Sequence, residues 1–401
     1  MSNTQQGGWL GADGESYLRG ADAILQDGLF AKDSVLVYWP AGYSILIWAM
    51  TKISMLHILL VISVIQSSFY AYACYYFIDQ IKNTKLNPHA FTIALVLAIN
   101  PTLSLSSLVV GYESPIASCM LMILGLIIKS KQSEINHRFW LRVLAVGLFF
   151  ALASFIQPRW ILTTIMTVVI WAMLYKNRKN QALILIGVIG IMAIAPITLV
   201  ERNKRAGNGS VISTNLQGVL KIGTGPDTSG GYAHTGESVT CIGSETQESI
   251  CYLKWYIQNP IKTAELAFFK TVYFWSPWSG PSANGTMARN PWLDVNPIQN
   301  IAKQNQEGND LVNGSFGKFV SWIWLWAGLL LLFIGSVHIW KVGGEYRYYS
   351  LLFLMPVLAS WLSAVGTIGD HRFRIPTMSL SLVLQVIGFY NIKDRLLKYA
   401  K

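Results

Sequence analysis

The sequence predicts an all-α polytopic membrane protein, and three observations predict it. Hydrophobic residues make up 52% of the 401 and charged residues 13%, roughly half the charged share of a soluble domain. Apolar runs near the ~20 residues that cross a bilayer recur along the chain. The short loops between them alternate between basic and almost uncharged, as positive-inside topology requires. The formal charge of +11 would suggest nucleic acid in a soluble protein. Here it sits in those loops, so no nucleic-acid partner is expected. Fifteen Trp and eighteen Tyr suit interfacial belts, where an apolar ring meets a wet edge.

Residues 1–14 are polar and Gly-rich and do not read as a secretion signal. Tyr17 to Phe30 then reads as an amphipathic helix. Leu18, Ala21, Leu25 and Leu29 take one face, Arg19, Asp22, Gln26 and Asp27 the other, and Gly28 stands near the end. About four turns of such polarity lie in the interface rather than span it. The run from Ser44 to Lys52 reads as a re-entrant or interfacial lead-in. Nine spans are expected at about 55–78, 90–109, 114–129, 140–156, 160–175, 181–200, 318–340, 348–366 and 375–391. The organisation is therefore an external loop over 1–54, a first bundle over 55–200, a large external loop over 201–317 and terminal spans over 318–401. Within that loop Thr224 to Gly231 is a turn cluster, and the chain after Pro260 looks helical up to Trp275.

Charge orients the spans. One set of loops holds Lys82 and Lys85; Lys129, Lys131, Arg138 and Arg142; Lys176, Arg178 and Lys179; Lys341 and Arg347; and Lys393, Arg395, Lys398 and Lys401. These are expected on the cytoplasmic side. Asp13, Glu15, Glu113, Arg159, the loop 201–317 and the stretch Gly369 to Arg374 then share the opposite face, where an active site would gather. The N-terminus comes out external with no span to carry it there. Either a helix precedes this sequence, or the short N-terminus crosses with the first hairpin.

Each polar residue on that face reads in two ways. Asp13 is a carboxylate able to take an acceptor's proton or hold a metal, or it caps the following helix, with Ser16 competing. Glu113 lies between two apolar runs, where an acid is costly and functional by default, or it is an interfacial cap. Arg159, His371, Arg372 and Arg374 are cations against the positive-inside trend. They can hold a phosphate and stabilise it as it leaves, or the arginines snorkel to headgroups. Lys270, on an apolar interfacial helix, carries the same two readings. His371 is a metal ligand, an acid, or a hydrogen-bonded structural residue. Cys74 and Cys119 fall in apolar runs and are packing residues. Cys241 and Cys251 form a disulfide if their loop faces an oxidising compartment, and are otherwise free thiols. Asn208, Asn284 and Asn313 begin N-x-S/T sequons. No P-loop, GxSxG elbow or Cys/His metal cluster occurs.

Together these residues resemble the GT-C superfamily, in particular bacterial relatives of dolichyl-phosphate-mannose-type protein mannosyltransferases and of aminoarabinose transferases of the cell envelope. Asp13-Gly-Glu-Ser-Tyr17 is similar to that family's D-x-x-x-Y first external loop, and Trp39-Pro-Ala-Gly-Tyr43 to its P-P-G-Y-P. Glu113 fits the acid of the second external loop. Pro158-Arg159 resembles a later Arg-Pro with the order reversed. Val211 to Asn215 through Gly230-Gly-Tyr232, Asn259-Pro260 to Lys270, and Arg372-Phe-Arg-Ile-Pro376 are similar to further external motifs. The departures are the absent first span, Trp39 in place of a proline, and the reversed Arg-Pro.

The resemblance implies a GT-C-like helical bundle and an inverting glycosyltransferase. A polyprenyl-phosphate sugar donor enters from membrane lipid and meets an acceptor hydroxyl on the external face of a bacterial cytoplasmic membrane. It implies Asp13 and Glu113 as catalytic acids, and as ligands of a divalent metal ion if one is used. It places the donor phosphate on Lys270, Arg372, Arg159 and Arg374, and substrate near Glu15, Tyr17, Tyr43 and His371. Three other readings stay open, one of them a catalytically dead paralogue that acts as an assembly partner. A lipid-linked polysaccharide ligase or polymerase would take a diphosphate-linked glycan. A transporter would carry ionisable groups within its spans, which are almost free of them here.

Overall fold

The computed structural model describes residues 9–10, 13–132, 134–228, 230–231, 239–275 and 315–399. Residues 276–314, Tyr232 and the sequons at Asn284 and Asn313 lie outside the described residues.

The amphipathic run forms α1 (Gly14–Asp27). It ends where Gly28 adopts φ +84° and its N–H bonds Ile24 O, a left-handed stop that favours glycine. A single turn, α2 (Val35–Tyr38), leads to α3 (Ala41–Thr51), which starts directly after Pro40. The expected lead-in is thus a true helix, three turns long. Gly42 explains its placement: a Cβ there would lie 1.8 Å from the backbone oxygen of Phe155.

The spans follow as α4 (Ile58–Lys82), α5 (Ala90–Ile99), α6 (Pro101–Ser106), α7 (Glu113–Lys131), α8 (His137–Ile156), α9 (Trp160–Met173) and α10 (Arg178–Arg205). The outer segment contributes α11 (Asn215–Gly223), α12 (Glu245–Gln258) and α13 (Pro260–Trp275). The chain closes with α14 (Ser315–Val342), α15 (Tyr346–Gly366) and α16 (Ile375–Tyr399).

Among the described residues seven helices are long and apolar enough to cross a membrane, against nine expected spans. The run 90–109 is broken because Asn100 precedes Pro101. Its backbone is extended (ψ 114°) and its side chain caps the next helix at Leu103 N, 3.0 Å, as a pre-proline residue does. The other shortfall is α9, which has 14 residues. The chain after Pro260 is helical up to Trp275, as expected, and α12 ends just before it at Gln258.

The most enclosed span is α7, with 89% of its apolar window buried. It packs against α4, α8 and α16, so its first residue, Glu113, stands at one end of the core helix. Two short strands, β1 (Trp9–Leu10) and β2 (Val109–Val110), pair in parallel beside it.

The basic loops meet at the other end. Lys85 N donates to Tyr346 Oη at 2.8 Å, Gln132 Nε2 to Asn83 O at 3.2 Å and Lys131 Nζ to Leu174 O at 3.3 Å. The two faces inferred from charge are therefore two physical ends of one bundle. In the outer segment Cys241 and Cys251 form a disulfide.

Candidate active site

The site is built on Arg372. Asp370 prepares its place: the Asp370 carboxylate accepts from Arg372 N at 2.9 Å and caps the short 3-10 turn His371–Arg374. Gly369 brings that turn against α13, since a Cβ on it would lie 2.5 Å from the Cα of Lys270. Its N–H is held by Gly230 O at 2.9 Å. From this turn Arg372 reaches two acids. Its Nη2 is 2.6 Å from Asp13 Oδ2, and its Nε is 3.1 Å from Glu113 Oε1. Residues 359 and 259 positions away in sequence thus converge on one guanidinium whose side chain is 5% exposed. The Asp13 contact is a charge-assisted hydrogen bond, the strong kind, and the Glu113 contact is an ion pair.

The capping reading of Asp13 is not what the structure shows. Asp13 stands at the N-cap position of α1 but makes no side-chain cap bond. Its carboxylate is spent on Arg372. Glu113 lies in the first turn of α7, where the helix dipole favours an acid. Gly111 leaves room for it: a Cβ there would stand 2.5 Å from Glu113 Oε2.

Tyr43 fixes the loop that carries this acid. Its hydroxyl accepts from Gly111 N at 3.0 Å and from Gln66 Nε2 at 2.7 Å. Tyr17 fills the floor, edge-on to Tyr43 at 5.0 Å and near Tyr112 at 6.4 Å and Trp39 at 5.9 Å. Burial, with Asp13 beside it, pushes the Tyr17 hydroxyl well above its ordinary pKa, so it stays a neutral donor. Both tyrosines, expected at substrate, thus frame the acids from behind.

Arg159 arrives from the start of α9. Its guanidinium lies 4.0 Å over the Phe373 ring and 5.7 Å from the Tyr112 ring, a cation–π pair that holds it next to the residue following Arg372. It also lines a cleft of about 410 Å³ with Phe373, Val211, Leu216, Val219 and Thr367. The 211–215 stretch is set there by Asn203, whose side-chain amide donates to Val211 O and Ile212 O at 2.9 and 3.1 Å, and by Thr214 N on Val37 O at 3.0 Å.

Four expected site residues are placed differently. Lys270 is fully buried, its amine on Tyr256 Oη at 2.8 Å, and burial holds it down to about 7. Arg374 is buried on Trp275 O at 2.7 Å. Both side chains are buried in the wall beneath the turn. His371 is buried, with Nδ1 3.3 Å from Asp370 Oδ1. Burial pushes the Asp370 carboxyl up to about 7. Glu15 is exposed on α1. Tyr112, Phe373, Asp370 and Gln66 were not singled out in the sequence. Tyr112 and Phe373 adjoin Glu113 and Arg372, and Asp370 lies two residues before Arg372, which is the signal that could have found them. Gln66, a lone amide in a span, could have been flagged as an intramembrane polar group.

The resemblance offers Asp13 and Glu113 to a divalent ion. Both already bind Arg372, and among the described residues no group of three His, Cys, Asp or Glu is placed to hold a metal. Asp13 and Glu113 are the described carboxylates that would hold a divalent ion, which would supply Lewis-acid polarisation at the reacting oxygens.

The all-α bundle, with its acids gathered at one end, is a GT-C glycosyltransferase fold by the similarities that follow. Residues 30–280 match the family model for oligosaccharyl transferase STT3, N-terminal, which is more than half of the chain, and the chain belongs to that family of glycosyltransferases. It is similar in fold to the apo crystal structure of the oligosaccharyltransferase from Archaeoglobus fulgidus, with TM-score 0.51, 14% identity, and coverage of 98% of this chain and 48% of that one. Matches to the same enzyme tethered with an acceptor peptide containing the NVT sequon (TM-score 0.48, 13% identity, 98% and 47% covered) and to archaeal AglB with an inhibitory peptide and a dolichol-phosphate (0.48, 12%, 98% and 48%) are weaker. The chain spans about half the length of these solved proteins. No curated protein sequence matches it.

Proposed function

We propose that the chain transfers a sugar from a polyprenyl-phosphate donor to an acceptor hydroxyl, with inversion, on the external face of a bacterial cytoplasmic membrane. The observation that carries this reading is Arg372 joining Asp13 and Glu113 beside a cleft that holds Arg159. A phosphate seated between Arg159 and Arg372 has two cations to take the charge that develops as it leaves. The cleft's apolar wall suits the first isoprene units of the lipid. Asp13 orients the acceptor hydroxyl and accepts its proton as the oxygen attacks the anomeric carbon. The bond from that carbon to the phosphate oxygen breaks, and polyprenyl phosphate departs. Glu113 holds Arg372 in register from the other side. The described helices α11 to α13 of the segment 201–317 flank the acceptor side.

A second reading takes a diphosphate-linked glycan and a peptide amide. It is favoured by family membership and by the acceptor peptide and dolichol-phosphate named for the archaeal structures. Initial rates on purified protein in proteoliposomes separate the two. The panel pairs polyprenyl-phosphate monosaccharides or a diphosphate-linked oligosaccharide with a hydroxyl acceptor or a sequon peptide. Turnover confined to the diphosphate donor with peptide would replace the first reading by the second.

A further inference from the structure

The end of the bundle remote from Arg372 carries a second charged recess, between α14 and α16. Arg395 lies 20 residues beyond Ile375 along α16, about 30 Å at 1.5 Å per residue, so this recess is no part of the transfer site. It encloses about 200 Å³. Its walls are Phe333, Ile334, Val337 and Ile392, and its rim is His338, Lys341, Asn391 and Arg395.

The sequence explains why it opens there. The two helices run parallel and touch at glycines. A Cβ on Gly335 would lie 1.9 Å from Leu384 O, and one on Gly388 2.1 Å from Leu331 O. Upstream, Gln385 Nε2 bonds Gly328 O across the seam at 3.1 Å. Past the glycines both seams enlarge at helical spacing. On α14 they run Ile334, Val337 and His338, then Lys341; on α16 they run Gly388, then Asn391 and Ile392, then Arg395. Large, charged residues cannot sustain the glycine contact, so the helices part into a groove. Phe333 is 65% exposed on its flank, so the groove is open sideways, toward where acyl chains lie around a spanning helix.

We propose that this groove binds one anionic phospholipid, its phosphate on Lys341 and Arg395, its glycerol oxygens at Asn391 and His338, and one acyl chain along Phe333, Ile334 and Val337. Charge complementarity and the order of the lining commit the site to a lipid. Apolar residues lie toward the bilayer centre and cations at its edge, which matches the polarity of a phospholipid from tail to head, and basic pockets between spans recognise anionic headgroups. A free phosphate would leave the apolar half unfilled. Asp394, the acid beside Arg395, acts electrostatically on His89 and does not line the groove. The last-turn carbonyls of α14 oppose an anion, so binding depends on the two side-chain cations. The site does not rest on the donor chemistry proposed above.

Native mass spectrometry of the purified full chain, in micelles doped with equal synthetic phosphatidylglycerol and phosphatidylcholine, tests this. The wild type retains one phosphatidylglycerol in at least fivefold preference. The double variant Lys341→Gln, Arg395→Gln loses the preference, and Lys398→Gln, at the same end but off the groove, keeps it. Ile334→Trp, which fills the groove and removes no charge, also loses it. Displacement of phosphatidylglycerol by millimolar inorganic phosphate would overturn the lipid assignment in favour of a simple anion site. Equal retention of both lipids by the wild type, or an undiminished preference in both groove variants, would overturn the site itself.

Discussion

Arg372→Lys removes the guanidinium fork but keeps the positive charge. Arg372 uses different nitrogens for its two acids, Nη2 for Asp13 and Nε for Glu113. One ammonium on an unbranched stem cannot occupy both positions, so either the charge-assisted hydrogen bond to Asp13 or the ion pair to Glu113 is lost. Such bonds contribute about 1.5–3 kcal/mol each. A loss of about 2 kcal/mol from the transition state is roughly a 30-fold fall in kcat/KM. Arg372→Met loses both bonds and leaves two carboxylates facing each other, a disruption worth about 3–5 kcal/mol at a buried pair. It should therefore fall by roughly 150- to 5000-fold. The assay is initial-rate sugar transfer in proteoliposomes at equal protein, with thermal melts to separate unfolding from lost chemistry. A Lys variant at wild-type kcat/KM with a normal melt would refute the claim that the fork organises the site.

Burial holds the Lys270 amine at about 7 against 10.5 in the unfolded chain. The unfolded state therefore binds more protons between those values; the penalty is complete below pH 7 and fades as pH rises toward 10.5. Lys270→Met should raise the melting temperature most at pH 6–7, by an effect on the order of a few kcal/mol less the lost bond to Tyr256, with no gain left near pH 10.5. Turnover that survives it removes Lys270 from the donor site. Gly42→Ala should cost about 1–3 kcal/mol or more, because a methyl there meets the backbone at Phe155; a normal melt would contradict that close approach. Opening the Cys241–Cys251 bridge, whose residues are 10 apart, removes about 3 kcal/mol of chain-entropy stabilisation from the outer segment. Cys241→Ser with Cys251→Ser should speed limited proteolysis near α12 and leave the bundle's helicity intact; an unchanged cleavage rate would count against the bridge.

Much of this architecture was legible in the sequence because bilayer length and loop charge are read residue by residue. The ends of α4, α8 and α10 fall within a few residues of the apolar runs. The break inside 90–109 was less visible, although Asn100-Pro101 carried it. The pairing of acids and cations onto one face came from topology alone. What topology could not supply was distance. Arg372, Arg374 and Lys270 are alike as external cations, and packing alone decides between them. Gly369 presses Lys270 under the turn, Trp275 captures Arg374, and Arg372 is left toward Asp13 and Glu113. Tyr43 was singled out at the right position for a different reason, since its hydroxyl serves Gly111 and Gln66. Long-range hydrogen bonds of this kind leave no periodic trace.

The most direct measurement is sugar transfer from a panel of synthetic polyprenyl-phosphate monosaccharides, with wild type beside Asp13→Asn. The amide keeps the shape of the side chain but gives up the charge that binds Arg372 and takes the acceptor's proton. The wild type should turn over at least one monophosphate donor. The variant should fall by two or more orders of magnitude while still folded at the assay temperature, its melt lowered by loss of the Arg372 bond. Transfer by Asp13→Asn at the wild-type rate would contradict a catalytic role for this carboxylate.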